Sequence, residues 1–255
     1  MITATSSKKR PRTYSRPKIL LDAPTHYCAG CGHGIVHKLI AEIVDEQDLR
    51  DRIIGTAPVG CAVLAYCYLD FDCSEAAHGR TPAVATGIKR VHPDCIVYSY
   101  QGDGDLAAIG TAEVIHAANR GENITVIFIN NAVYGMTQGQ MAPTTMLGQR
   151  TSTTPDGRDK VTHGNPIRVC ELLSQLEGAA YLKRVTVTSP KRVRETKAAI
   201  IRAFQCQDEK RGFSLVEVLS PCPTYWRMAP TEAMAFIEAE MVKTFPLGTV
   251  KDWEQ

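Results

Sequence analysis

Two sets of residues in this chain have the types and spacing to do chemistry. The first is Gly102-Asp103-Gly104-Asp105, followed 28 residues after Asp103 by Asn131. Asp103 offers a carboxylate, Asn131 a side-chain carbonyl and Val133 a backbone carbonyl. These are oxygens of the kind Mg²⁺ takes into its octahedral shell, which phosphate and water usually complete. Gly102 and Gly104 let the backbone approach a diphosphate, and the start of the helix expected after them favours its charge. The second set is four cysteines: Cys28 and Cys31 in a CxxC within a glycine-rich loop, Cys61 after Gly60, and Cys222 in Ser220-Pro221-Cys222-Pro223. The CxxC alone reads as a zinc half-site, an iron–sulfur half-site, a dithiol redox pair or a plain structural pair.

The elements that must position these residues follow from periodicity. Residues 96–101 read as a strand, 106–120 as a helix and 124–131 as a second strand. A right-handed crossover of this length lays the two strands side by side and parallel, about 4.8 Å apart, so Asp103 and Asn131 can reach one ion. Behind the CxxC, Ile35, Val36, Leu39, Ile40, Ile43 and Val44 recur at helical spacing. Residues 52–55 read as a short strand leading to Cys61, 82–90 as a helix, 167–176 as a helix, 181–187 as a strand, 190–205 as a helix with proline at its start, and 213–219 as a strand leading to Cys222. The alternation predicts an α/β fold, a doubly wound and mostly parallel sheet, with ligands at the carboxyl ends of its strands. Residues 134–166 lack periodicity and are expected to form a loop over the cofactor and along a partner subunit. Three segments are expected: a basic arm over 1–20, the cofactor-binding α/β domain over 21–228, and a helical tail over 229–255.

Composition narrows the classes. The 255 residues suffice for one large domain, and 44% hydrophobic with 22% charged is ordinary for a globular protein. A net charge of +2 argues against nucleic acid as the main partner. The arm carries Lys8, Lys9, Arg10, Arg12, Arg16 and Lys18 without an acidic residue, yet only Tyr14 interleaves as an aromatic, which favours a solvated or partner-hugging role over RNA. No apolar run approaches the roughly 20 residues of a membrane span, and no secretory signal opens the chain; the expectation is a cytoplasmic protein. Nine cysteines are an odd number in a core-rich chain, which favours metal or redox chemistry over a disulfide scaffold.

The GDG…NN pattern is similar to the signature of thiamin diphosphate enzymes. Together with CAGCGHG, Gly60-Cys61, His78-Gly79-Arg80, ATGIKR, GDGD and YGMTQGQMAPTT, the chain resembles the β subunit of 2-oxoacid:ferredoxin oxidoreductases over residues 24–250. Its EAAHGR and PAVATGIKR stretches and FPLG tail resemble most the multi-subunit 2-oxoisovalerate and 2-oxoglutarate enzymes. The resemblance implies thiamin diphosphate, Mg²⁺ and one [4Fe–4S] cluster on Cys28, Cys31, Cys61 and Cys222, although a Cys₄ zinc site has the same ligand count. It implies CoA-dependent oxidative decarboxylation of a 2-oxoacid, with electrons passed to ferredoxin. Gly102, Asp103, Gly104, Asp105, Asn131, Thr137 and His78 would meet the cofactor, and His78 is a possible catalytic group. The glutamate that activates the cofactor's pyrimidine is expected from an α subunit, so the chain should be inactive alone; γ and ferredoxin-like δ subunits are further expected partners. Some archaeal members carry a lysine after the third cysteine. This chain reads CAVLAYCYLD there, which favours the apolar 2-oxoisovalerate over 2-oxoglutarate, pyruvate or an aryl 2-oxoacid. A non-redox thiamin decarboxylase or synthase subunit is the alternative without a use for four placed cysteines.

Overall fold

The computed structural model describes residues 14–254. The strands are β1 (Ile53–Ala57), β2 (Asp72–Glu75), β3 (Ile96–Gly102), β4 (Thr125–Asn130), β5 (Val133–Tyr134), β6 (Gln140–Met141), β7 (Ala179–Thr186), β8 (Phe213–Leu219) and β9 (Gly248–Lys251). The helices that matter below are α1 (His33–Glu46), α2 (Thr81–Val91), α3 (Thr111–Asn119), α4 (Lys160–His163), α5 (Val169–Ser174), α6 (Pro190–Asp208), α7 (Pro223–Trp226) and α8 (Pro230–Phe236). Seven strands form one sheet in the order β2-β1-β3-β4-β8-β7-β9. Every neighbouring pair is parallel except β7 with β9. The doubly wound parallel sheet is therefore the observed fold.

Strands β3, β4 and β8 are buried almost end to end, as a sheet covered on both faces requires. Alternation along β3 divides the core: Tyr98 and Tyr100 pack with Val36 and Ile40 of α1 and Phe204 of α6, whereas Val97 packs with Ala85 of α2, Val114 of α3 and Leu173 of α5. Helix α6 starts where Ser189 accepts a bond from the Arg192 N–H and Pro190 fills the first turn. No helix among the described residues is long and apolar enough to cross a membrane.

Three segments need comment beside the sequence expectation. Residues 1–13 of the basic arm lie outside the described residues. From Tyr14 on, the chain lies along the domain, with Ile19 in the core and Leu20 bridged to Leu69. The tail does more than form a helix: β9 extends the sheet, because the free edge of β7 offers unpaired backbone groups to any extended segment nearby. Residues 134–166 are not structureless. They hold the β5–β6 hairpin, the short helix α4 capped by Asp159, and a buried Arg158 whose guanidinium donates to six carbonyls, those of Ala142, Pro143, Thr145, His163, Gly164 and Asn165. One planar donor fork replaces the backbone ladder that periodicity would have signalled.

Candidate functional site

All parallel strands end on one edge of the sheet. The order reverses between β1, which pairs with β2 on one side, and β3 on the other, and at such a switch point the loops part to leave a crevice. A cavity of about 310 Å³ opens there, lined by Val59–Ala62 after β1, His78, Gly102–Asp105 after β3, and Asn131 and Val133–Thr137 after β4.

Asp103 stands at its floor, 3% exposed. Its carboxylate accepts the Asn131 N–H at 2.9 Å and the Thr144 hydroxyl. Burial pushes its pKa up to about 7, although the bonds from Thr144 and Asn131 work in the opposite sense. A carboxylate placed where its own charge is disfavoured is a group whose ionisation a bound cation would stabilise. The turn after β4 brings Asn131 and Val133 beside it, with Ala132 in the left-handed region at φ +59 and its carbonyl accepting the Thr145 hydroxyl at 2.6 Å. Trp226 Nε1–H donates to the Asn131 carbonyl at 3.0 Å and holds the turn from the other side. A Cβ on Gly102 would meet nothing within 4 Å, leaving its backbone open to the cavity. The donor set and this open backbone fit a metal-bound diphosphate.

Asp105 lines the same cavity with its carboxylate already engaged. Its two oxygens accept from the N–H groups of Val59 and Gly79, Nδ1 of His78, the Thr81 hydroxyl and the Gln101 amide. Five donors saturate the carboxylate, so its work is to tie the loops after β1 and before α2 to the π-helical turn Asp105–Ile109. That turn meets Gly79 backbone to backbone: a Cβ on Gly79 would stand 2.7 Å from the Gly110 nitrogen. Because His78 donates from Nδ1 to Asp105 at 2.8 Å, Nε2 is left to the cavity. Thr137 lies exposed at the rim and donates to Gln140 at 2.7 Å.

The four sequence-selected cysteines converge on the same edge. Gly30 sits at φ +79, and a Cβ there would stand 2.5 Å from Pro230; a Cβ on Gly32 would stand 2.4 Å from the Ser220 hydroxyl. Only glycine lets the CxxC loop seat this closely on the segment that carries Cys222. On the far side, a Cβ on Gly135 would be 3.1 Å from Cys61 Sγ and 3.8 Å from Cys222 Sγ. His26 completes the link. Its Nε2–H donates to the Cys61 carbonyl at 2.7 Å and Nδ1 meets the Tyr68 hydroxyl at 2.6 Å. Beneath the loop, His33 and His37 are fully buried among Tyr27 and Tyr100, and burial lowers the pKa of each to about 3, so both are neutral. Burial first, and then the neighbouring thiols, push Cys61 up to about 11; burial also dominates at Cys222, which reaches about 12. Thiols that raise one another are a set whose deprotonated form needs a shared cation, which both an iron–sulfur cluster and zinc provide. Among the described residues, no three His, Cys, Asp or Glu side chains are closed into a ligand cage as they stand. Of the other cysteines, Cys170 and Cys206 are core residues and Cys67 is exposed.

Thr144, Trp226 and the buried Glu217 behind Asn130 escape sequence reasoning. Thr144 sits within a motif already singled out, APTT, but nothing in its spacing points it at Asp103.

Residues 59–218 match the family "Thiamine pyrophosphate enzyme, C-terminal TPP binding domain". The chain is 53% identical over 228 residues to the ketoisovalerate oxidoreductase subunit VorA of Methanothermobacter thermautotrophicus, covering 89% of this chain and 48% of that protein. It is 38% identical over 225 residues to the 2-oxoglutarate synthase subunit KorB of Archaeoglobus fulgidus, covering 88% and 79%. The chain thus spans about half the length of the VorA proteins it matches. The 2-oxoglutarate:ferredoxin oxidoreductase from Magnetococcus marinus shares the fold, with a TM-score of 0.72 at 24% identity over 95% of this chain and 86% of that one. On these grounds the chain belongs to the thiamin diphosphate enzymes, among the 2-oxoacid oxidoreductase subunits that carry the C-terminal-type cofactor-binding domain.

Proposed function

We propose that this chain is the thiamin diphosphate-binding β-type subunit of a 2-oxoacid:ferredoxin oxidoreductase. It holds Mg²⁺ through Asp103, Asn131 and the Val133 carbonyl, and one [4Fe–4S] cluster through Cys28, Cys31, Cys61 and Cys222. The observation that carries this reading is the position of Gly135. It lies directly against the Cys61 and Cys222 thiols and near the Asn131 amide, so the cysteine set and the metal-binding turn share one wall. When bound, thiamin diphosphate supplies a carbanion and an electron sink, and an adjacent cluster accepts electrons singly. The residues of this chain anchor, orient and exclude water. Asp103 supplies the charge that binds the metal, Gly102 leaves the backbone open to the diphosphate, Gly104 sits close under the Tyr134 ring, and Asp105 fixes His78 with Nε2 toward the cavity. Thr137 at the rim would turn its hydroxyl from Gln140 to donate to the diphosphate.

The cavity wall supports an apolar substrate. Val59, Ala62, Ile109 and Met136 contribute to it and no lysine or arginine does, so no cation in this chain awaits a second carboxylate. This favours 2-oxoisovalerate, in line with the VorA names, over 2-oxoglutarate, to which the KorB names point. An α subunit would supply the pyrimidine-side glutamate, γ and ferredoxin-like δ subunits would complete the assembly, and CoA and ferredoxin would be its co-substrates in the cytoplasm. Anaerobic purification with iron and sulfide analysis tests the core of the reading: about four irons per chain are expected, and a colourless protein holding stoichiometric zinc would sink it. Assays of the complete complex with branched-chain, dicarboxylic and aryl 2-oxoacids rank the substrates.

A further inference from the structure

Glu217 and Arg184 are side by side on β8 and β7 and both side chains are 0% exposed. Burying an ion pair is costly, and apolar residues of similar volume often serve stability as well or better. Something other than packing has to explain their place between β8 and β7. Arg184 donates from Nε to Glu217 Oε2 at 2.9 Å, and its two terminal nitrogens grip Glu171 of α5 at 2.9 and 2.6 Å. The other oxygen of Glu217 accepts Nδ2 of Asn130 at 2.7 Å. A carboxylate only accepts, so it dictates which way the Asn130 amide faces. The carbonyl end, Oδ1, is thereby turned to the Ala132 N–H at 3.2 Å. Ala132 is the left-handed residue of the turn that presents Asn131 and Val133, a conformation that non-glycine residues adopt only when their surroundings enforce it.

We infer that Glu217 is a positioning residue for the metal end of the site: it sets the Asn130 amide, which holds the Asn130–Val133 turn in the conformation that brings the ligand oxygens to Asp103. Arg184 pairs with Glu217 and holds it in place, and Glu171 anchors Arg184 from outside the sheet. The inference rests on the proposed reading of Asp103, Asn131 and Val133 as the metal set.

The test is a Mg²⁺ titration at fixed thiamin diphosphate, followed by calorimetry on the assembly in which the chain purifies, with the melting temperature read in parallel. Asn130→Ala and Glu217→Gln are expected to weaken Mg²⁺ binding tenfold or more while the circular dichroism stays native. Glu171→Gln, which loosens only the outer anchor, is expected to lower the melting temperature and leave the Mg²⁺ affinity within twofold. Should Glu217→Gln fail to fold, Asn130→Ala, which leaves the Arg184–Glu217 pair intact, decides the matter. A melting temperature that falls in Asn130→Ala with unchanged Mg²⁺ affinity would mean a merely structural role and overturn the inference. Asp103→Ala separates the two readings: if it also binds normally, the metal assignment itself fails, and if it alone loses binding, only the positioning role does.

Discussion

Asp103 is held where its charge is disfavoured, and that conflict has a measurable sign. With its pKa raised to about 7 from an ordinary value of 3.8, the native state keeps a proton that the unfolded state has released between those values. In the metal-free protein, stability therefore falls as pH rises through this window and stays low above it. Asp103→Asn removes the buried charge. It should stabilise the metal-free chain at pH 8 by about 2 kcal/mol, a gain that shrinks toward pH 4, and it should abolish Mg²⁺-dependent cofactor binding. Urea unfolding of parent and variant at the two pH values checks the first part, and a gain over the parent no larger at pH 8 than at pH 4 would contradict it. Asp103 and Asn131 were legible because a glycine-flanked acid and an asparagine pair one crossover apart are a local pattern. Thr144, which donates to the same carboxylate from 41 residues away, was not, because its partner is chosen by how the loop folds back.

At the scale of elements, the cysteine loop and the long connection after β4 depend on contacts that few residues make. Gly30→Ala would place a methyl against Pro230 at a backbone conformation that disfavours any side chain. It should cost about 2 kcal/mol and push the CxxC away from Cys222. The expected outcome is a folded protein that retains much less iron after anaerobic purification than the parent, and equal iron content would count against the close seating. Arg158→Met should cost about 2–4 kcal/mol, since six carbonyls, those of the buried Ala142 and Thr145 among them, lose their shared donor. Residues 134–166 should then become the first site of limited proteolysis; a cleavage pattern like that of the parent would refute the clamp. Strands β3, β4 and β8 and helices α1 and α6 were readable from periodicity. Strand β2, half exposed and short, and β9, which exists because β7 leaves an edge, carry little pattern of their own.

For the whole molecule, the buried polar aromatics beneath the cysteine loop set an acid limit. His37 is neutral when folded, its pKa lowered by burial to about 3 from an ordinary 6.5. The unfolded chain takes up a proton between these values, so the contribution is complete above about pH 6.5 and is lost as pH falls toward 3. About 2 kcal/mol should disappear between pH 7 and pH 5, and His37→Phe should flatten that slope; an unchanged slope would place the acid sensitivity elsewhere. By itself the sequence determined the sheet class, the glycine-flanked loop proposed for a diphosphate and the four cysteines worth grouping, because each is a matter of residue type and spacing along the chain. Only the tertiary structure decided that Asp105 is saturated by five donors and orients His78, that Arg158 organises the long loop, and that Glu217 stands behind Asn130. Those roles depend on which strands end side by side and which buried polar atoms find partners there, and no local pattern encodes that.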